Sequence, residues 1–158
     1  LAQSLRAEVT HSAQTIPRFL KQMAINSLTR APPLNWVGGL AVDAQGHIDL
    51  KLQGTAIFVD AARLYALAHG LASTGTRERL KAVGPILGAS AQEYEAWISG
   101  FEFLQMLRLQ VQLQGTPTMV QPNHVELLKL NDIDRRILRE TFRVVRNLQQ
   151  RIQLDYQR

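Results

Sequence analysis

Asp60 and Arg63 interrupt an almost wholly apolar run from Ala56 to Ala68, three residues apart and so on one side of a helix. A charge on a surface headed for a core needs a partner or a ligand, because desolvating it alone is costly. Arg108 is a second such residue. It follows Leu104 by four and Phe101 by seven, so it projects from the apolar stripe of its helix, with Gln112 one turn further on. Lys51 is the third cation, in Asp49-Leu50-Lys51 ahead of Gly54, where a bare backbone permits close approach of a neighbour. Two chemistries are open to this set. Arg108, Arg63 and Lys51 can converge on an anion such as a phosphate or carboxylate. Alternatively Arg108 is locked inside the bundle by Asp60 or Glu102, and Lys51 is a solvated lysine on the polar face of a hairpin. Physical grounds alone favour the lock.

Other candidate motifs carry less. Asp132-Ile133-Asp134 has the D-x-D spacing that holds magnesium in nucleotidyl transfer, but no Gly-Ser turn precedes it. Asn131 as a helix cap, with Asp132 and Asp134 at the positive helix end, explains these residues. His11, His47, His69 and His124 lack metal-site spacing, and neither G-x-S-x-G nor a Gly-rich phosphate loop occurs. Arg139, Arg143 and Arg146 form a basic stripe, which reads as a solvated face or one that meets an acidic neighbour. No aromatics interleave with it for base stacking, so nucleic-acid binding ranks last among the readings.

The elements that must position these residues are mostly helical. Leu5, Val9, Ile16, Phe19, Leu20, Met23, Ala24 and Leu28 recur at helical steps, and Pro17 either opens a second helix or kinks a continuous one. Ala31-Pro32-Pro33 stops the helix. Over residues 37–53 the period changes to two, with Leu40 and Val42 before a turn at Asp43–Gly46 and Ile48, Leu50 and Leu52 after it, which predicts a small β-hairpin. Ala56 to His69 is apolar nearly all round and predicts a buried central helix ending at Gly70. Helices are expected over Thr76–Leu87, with Thr76 capping, over Ala91–Leu113, and from Asn131 to the end. A loop fills Gly115 to Pro122. The expectation is a mainly α helical bundle with one small β-hairpin near residues 37–53.

The 158 residues suit a single helical domain spanning 1–158, with a core of ordinary size. Because the chain starts at Leu1 and enters helical pattern almost at once, it reads as a C-terminal fragment of a larger protein. No signal peptide or membrane span is visible, and the absence of cysteine excludes disulfides and thiolate sites and fits the cytoplasm. The formal charge of +5 belongs mostly to the last helix, since seven of the 18 basic residues fall at or after Arg135.

The ordered series Pro32-Pro33, Asp49-Leu50-Lys51 with Gly54, Val59-Asp60 with Arg63, Ala66-Leu67 and Gly70 resembles the nucleotidyltransferase substrate-binding domain of bacterial signal-transduction proteins. So do Thr76 with Arg79-Leu80, Phe101, Arg108 with Gln112, Gly115, Asn123 and the Phe142 to Gln149 stretch. The chain departs from the family pattern in one place, where Thr116 to Pro122 intervenes between Gly115 and Asn123. The resemblance implies a non-catalytic helical domain forming one wall of a cleft beside a nucleotidyltransferase domain. It implies upstream cyclic-nucleotide-binding or cystathionine-β-synthase-type sensor modules in the same polypeptide. The catalytic domain would use a nucleoside triphosphate and magnesium, and the acceptor would be a protein or small molecule. Lys51, Asp60, Arg63, Arg108 and Gln112 are the candidate substrate-binding residues, with no catalytic or metal-binding residue in this chain. A regulatory protein–protein interaction module linking sensors to the transferase is the alternative. A homodimer is left open and no membrane partner is expected.

Overall fold

A computed structural model of the protein describes residues 1–15, 17–115 and 121–157. Six α-helices are found among them: α1 (Ala2–Thr15), α2 (Pro17–Ser27), α3 (Ala56–Ala68), α4 (Thr76–Ile86), α5 (Ala91–Gln114) and α6 (Asp132–Tyr156). Two three-residue strands, β1 (His47–Asp49) and β2 (His124–Glu126), complete the regular structure with single helical turns at Lys51–Thr55 and Leu127–Lys129. The mainly α bundle expected from the sequence is the fold.

α3 sits at the centre because, Asp60 and Arg63 apart, it is apolar along its length. Ile57, Phe58, Ala61, Ala62, Leu64 and Tyr65 are all buried, and α1, α2, α4 and α6 pack around it. From α5 come Trp97, Ile98, Leu104 and Leu107. From α6 come Leu138, Phe142, Val145, Leu148 and Ile152 at helical spacing. Each fully buried side chain of this size contributes roughly 1.5–3 kcal/mol of transfer free energy. α2 is described from Pro17; whether this proline opens a helix or kinks a continuous one turns on residue 16, which lies outside the described residues. Ser90 caps α5 by accepting the Glu93 N–H, and Asn131 caps α6 by accepting that of Asp134 at 2.7 Å. Thr76 does not cap α4. Gly75 occupies that position, without a side chain to do so.

The predicted hairpin over 37–53 is corrected in its pairing. The turn stands: the Asp43 carboxylate accepts N–H groups from Gln45 and His47, and Gly46 reverses the chain at φ 79°. β1 follows it, but pairs antiparallel with β2, in the register His47 to Glu126, Ile48 to Val125 and Asp49 to His124. The limb before the turn is not a strand: it forms an isolated bridge between Leu34 and Leu40 and donates the Asp43 N–H to the His47 carbonyl across the turn. Beyond β1 the Asp49 carboxylate accepts the N–H groups of Lys51 and Leu52, so the chain coils into a wide turn closed by Thr55 N–H to Leu50 C=O. Leu52 therefore turns outward, while Gly54 and Thr55 are buried. A Cβ on Gly54 would stand 2.8 Å from Leu104 Cδ1, so this turn and α5 approach as closely as they do only because the residue is glycine.

Candidate functional site

Arg108 is engaged by the fold, though not by the residues expected. Its Nε donates to Asn123 Oδ1 at 3.0 Å, and one terminal nitrogen donates to Thr55 Oγ1 at 3.2 Å and Gln105 Oε1 at 2.8 Å. Gln112, one turn on, reaches the same Asn123 oxygen at 3.4 Å. The Asn123 carbonyl in turn accepts the Leu50 N–H at 2.9 Å. Three segments distant in sequence, α5, the wide turn and the approach to β2, are thus tied at one half-buried guanidinium. These contacts place β2 beside β1, and they give the R-x-x-x-Q and Asn123 pattern a structural meaning.

The other candidates are dispersed. Asp60 does not pair with Arg63; it accepts from Arg30 at 3.0 Å, between two partly exposed side chains. Glu102 pairs with Arg77 at 2.7 Å, not with Arg108. Arg63 is exposed and makes no ion pair among the described residues. It lies in the field of Arg79, whose pKa is depressed by burial first and then by Arg63 and Arg6. Lys51 is solvated, and only its backbone is bound, to Asp49. The sequence set therefore divides into a joined pair, Arg108 and Gln112, and three residues on other surfaces.

The basic stripe of α6 has a function the sequence did not disclose. Arg143 Nε donates to the Gly38 carbonyl at 3.3 Å, Arg146 to the Asn35 carbonyl at 3.0 Å, and Gln149 to the Arg30 carbonyl at 2.7 Å. These three side chains hold the segment after α2 along the helix. Within that segment, Asn35 Oδ1 accepts the N–H groups of Val37 and Gly39. The signal was the helical spacing of 143, 146 and 149. Its partners were backbone carbonyls, which no residue pattern reveals.

A hollow at the C-terminal half of α5 is a feature the sequence did not disclose. A groove of about 870 Å³ lies between the C-terminal half of α5, β2 and the start of α6. Leu107, Val111 and Val125 form its apolar floor, and Gln110, Gln114 and Asp134 stand along its rim. His47 and His124, diagonal to each other on the two adjacent strands, meet edge to face in its wall at 6.2 Å. His124 Nδ1 is buried without a hydrogen-bond partner, and its Nε2 stands 3.9 Å from an Asp49 carboxylate oxygen. Lys129 lies on the groove but is paired with Glu126 at 3.0 Å. The hollow therefore offers carboxylates, amides and imidazoles with no free cation among its described lining, a set suited to hydroxyl or amine groups beside an apolar face. Asn123, next to His124, connects this wall to the Arg108 contacts. Gly115 and Gln121 line the groove, and residues 116–120 between them are outside the described residues.

Metal binding finds no support in the side chains. Among the described residues no group of three or more His, Cys, Asp or Glu is placed to hold an ion. Asp134 is tied to Asn131 at the helix cap, as capping requires. No described helix is long and apolar enough to cross a membrane.

A family model described as "Putative nucleotidyltransferase substrate binding domain" covers residues 17–156. No curated protein and no solved structure matches the chain.

Proposed function

The chain belongs to the nucleotidyltransferase substrate-binding domain family, and from that premise we propose that it holds the acceptor for a nucleotidyltransferase domain elsewhere in the same polypeptide. The groove between α5, β2 and α6 forms one wall of the shared cleft. The observation that carries this reading is the groove itself: it combines an apolar floor with amide, imidazole and carboxylate groups on its walls. Its side chains suit a small acceptor bearing hydroxyl or amine groups rather than a phosphorylated one. This chain binds and orients; the nucleoside triphosphate and magnesium belong to the catalytic domain. Arg108 and Gln112 stabilise the fold through Asn123 and do not touch the acceptor. Sensor modules upstream and a cytoplasmic location belong to the same proposal.

The test uses a polypeptide carrying this domain beside its nucleotidyltransferase domain, an α-labelled nucleoside triphosphate and a panel of amino- and hydroxyl-bearing small molecules. Gln110→Trp fills the groove from an exposed position. The expected result is label transfer to an acceptor by the parent and a loss of at least tenfold in the variant, with the KM for the triphosphate unchanged. Equal transfer by the two proteins contradicts the reading.

A second reading, an interaction module, is favoured by Trp36. This side chain is 93% exposed and Val37 beside it 62%, on a turn held by Asn35, Arg143 and Arg146. Rigidly presented tryptophan is the kind of residue that anchors protein interfaces. Under this reading Trp36→Ala abolishes the response of transfer to the sensor's ligand while leaving unregulated transfer intact. Under the first it leaves both unchanged.

A further inference from the structure

A second hollow, of about 360 Å³, lies on the opposite flank of the first turns of α6. It is lined by Arg135, Arg136 and Arg139, by Asp132 and by Gly39 and Leu40 from the segment pinned along the helix. The same stripe of α6 thus has two halves. Towards the C-terminus, Arg143 and Arg146 donate to carbonyls, and Arg143 also binds Glu140 at 2.8 Å. Towards the N-terminus the guanidiniums surround open space.

Their hydrogen-bonding capacity there is largely unmet. Arg135 donates Nε to the Leu130 carbonyl at 2.9 Å, and its terminal nitrogen stands 3.8 Å from Asp132, a carboxylate 97% exposed and so well screened by water. Arg136 has no ion pair or hydrogen bond from its side chain among the described residues. Arg139 Nε is buried and lacks a hydrogen-bond partner; the nearest carboxylate oxygen, on Glu140, is 3.7 Å away and already bound by Arg143. A buried N–H donor left unpaired is uncommon and costly in a folded protein. Like charges three and four residues apart on a helix also repel. The repulsion is relieved by one multivalent anion in the hollow, where guanidiniums supply fork-shaped donors to phosphate oxygens.

We propose that Arg135, Arg136 and Arg139, closed on one side by Gly39 and Leu40, form a binding site for a phosphate or diphosphate group. The site is separate from the groove on the other flank of α6, whose amides and imidazoles suit hydroxyl or amine groups. It stands on its own observations, whether or not the groove holds an acceptor. The phosphate can be a free inorganic anion or part of a nucleotide, and the two sources share the same contacts.

The experiment follows the arginine Nε–H signals of the ¹⁵N-labelled chain by NMR during titration with inorganic pyrophosphate and, separately, with a magnesium-free nucleoside triphosphate. Saturable movement of the Arg139 signal is expected, with affinity falling as salt rises. Arg136→Ala removes an exposed, unpartnered side chain and leaves the fold intact, and it is expected to weaken binding at least tenfold. Lys51→Ala, on a different surface, leaves affinity unchanged. Equal affinities for the two probes assign the site to the phosphate alone, whereas tighter triphosphate binding assigns it to a nucleotide. An unsaturable response, or equal loss in Arg136→Ala and Lys51→Ala, shows general charge screening and overturns the proposal.

Discussion

Arg108 and the trio of Arg135, Arg136 and Arg139 are cations at apolar elements, yet the fold treats them oppositely. Arg108 is surrounded by neutral oxygen acceptors from Asn123, Thr55 and Gln105, so its charge is solvated by the protein itself. The trio faces a hollow, and its members draw on one carbonyl and two distant carboxylates. Neutral acceptors from three separate segments make an arginine a brace. Guanidiniums crowded about open space, one with a buried unpaired N–H, mark a place where something else can bind. Residue type alone does not separate these cases; the partners do.

That contrast is sharpest where the brace is removed. Arg108→Ala leaves Asn123, Thr55 and Gln105 without their donor and is expected to cost about 3 kcal/mol, since hydrogen bonds to charged groups are the stronger ones. Urea unfolding measures this, and a loss below about 0.5 kcal/mol would show that Arg108 is not a brace. Gly54→Ala presses the same junction by pushing a methyl group toward Leu104 and Phe142, at 2.8 and 3.3 Å. It is expected to cost about 2 kcal/mol as overpacking. Replacing Arg143 and Arg146 together by alanine releases the Asn35–Gly38 turn and should cost about 1 kcal/mol for contacts to partly exposed carbonyls. Faster proteolytic nicking near Trp36 is the local signature of that release.

An effect at high pH is smaller still. The Tyr65 hydroxyl donates to Asp155 at 2.8 Å, and burial, followed by that carboxylate, raises its pKa well above the ordinary phenol value. Burial and Asp155 push Tyr156 up to about 12. A raised folded-state pKa means full stabilisation below the unfolded value near 10, lost as pH climbs toward the folded one. Tyr65→Phe should therefore flatten the decline in stability between about pH 10 and 12. At the bottom of the scale, Arg136→Ala should change stability by less than about 0.5 kcal/mol, because its side chain braces nothing among the described residues.

The sequence made the bundle legible because α3 is apolar apart from Asp60 and Arg63, and α6 repeats its inward residues at helical spacing. It also picked out Arg108 and Gln112 as members of one arrangement. The partner of β1 was beyond its reach: Ile48 and Leu50 announce a strand, but nothing local says that Val125, far along the chain, will cover its edge. Period-two spacing alone puts Asp49 on the polar face of a strand, whereas its carboxylate coils the chain after β1 and so ends the alternation to which Leu52 belongs in the sequence. The two hollows were illegible for the same reason. Each is enclosed by segments that meet only through tertiary packing, and His47 and His124, unremarkable in spacing, become neighbours through the register of β1 and β2.

The most direct measurement pairs the brace with the groove. Urea stability and acceptor labelling are determined for Arg108→Ala and Gln110→Trp in a polypeptide carrying the catalytic domain, with labelling assayed where each variant remains folded. The account predicts that Gln110→Trp keeps its stability and loses labelling, while Arg108→Ala loses stability and still labels to within a few-fold of the parent. An Arg108→Ala protein of normal stability that no longer labels, beside a Gln110→Trp protein that labels normally, would place the acceptor on the guanidinium and contradict it.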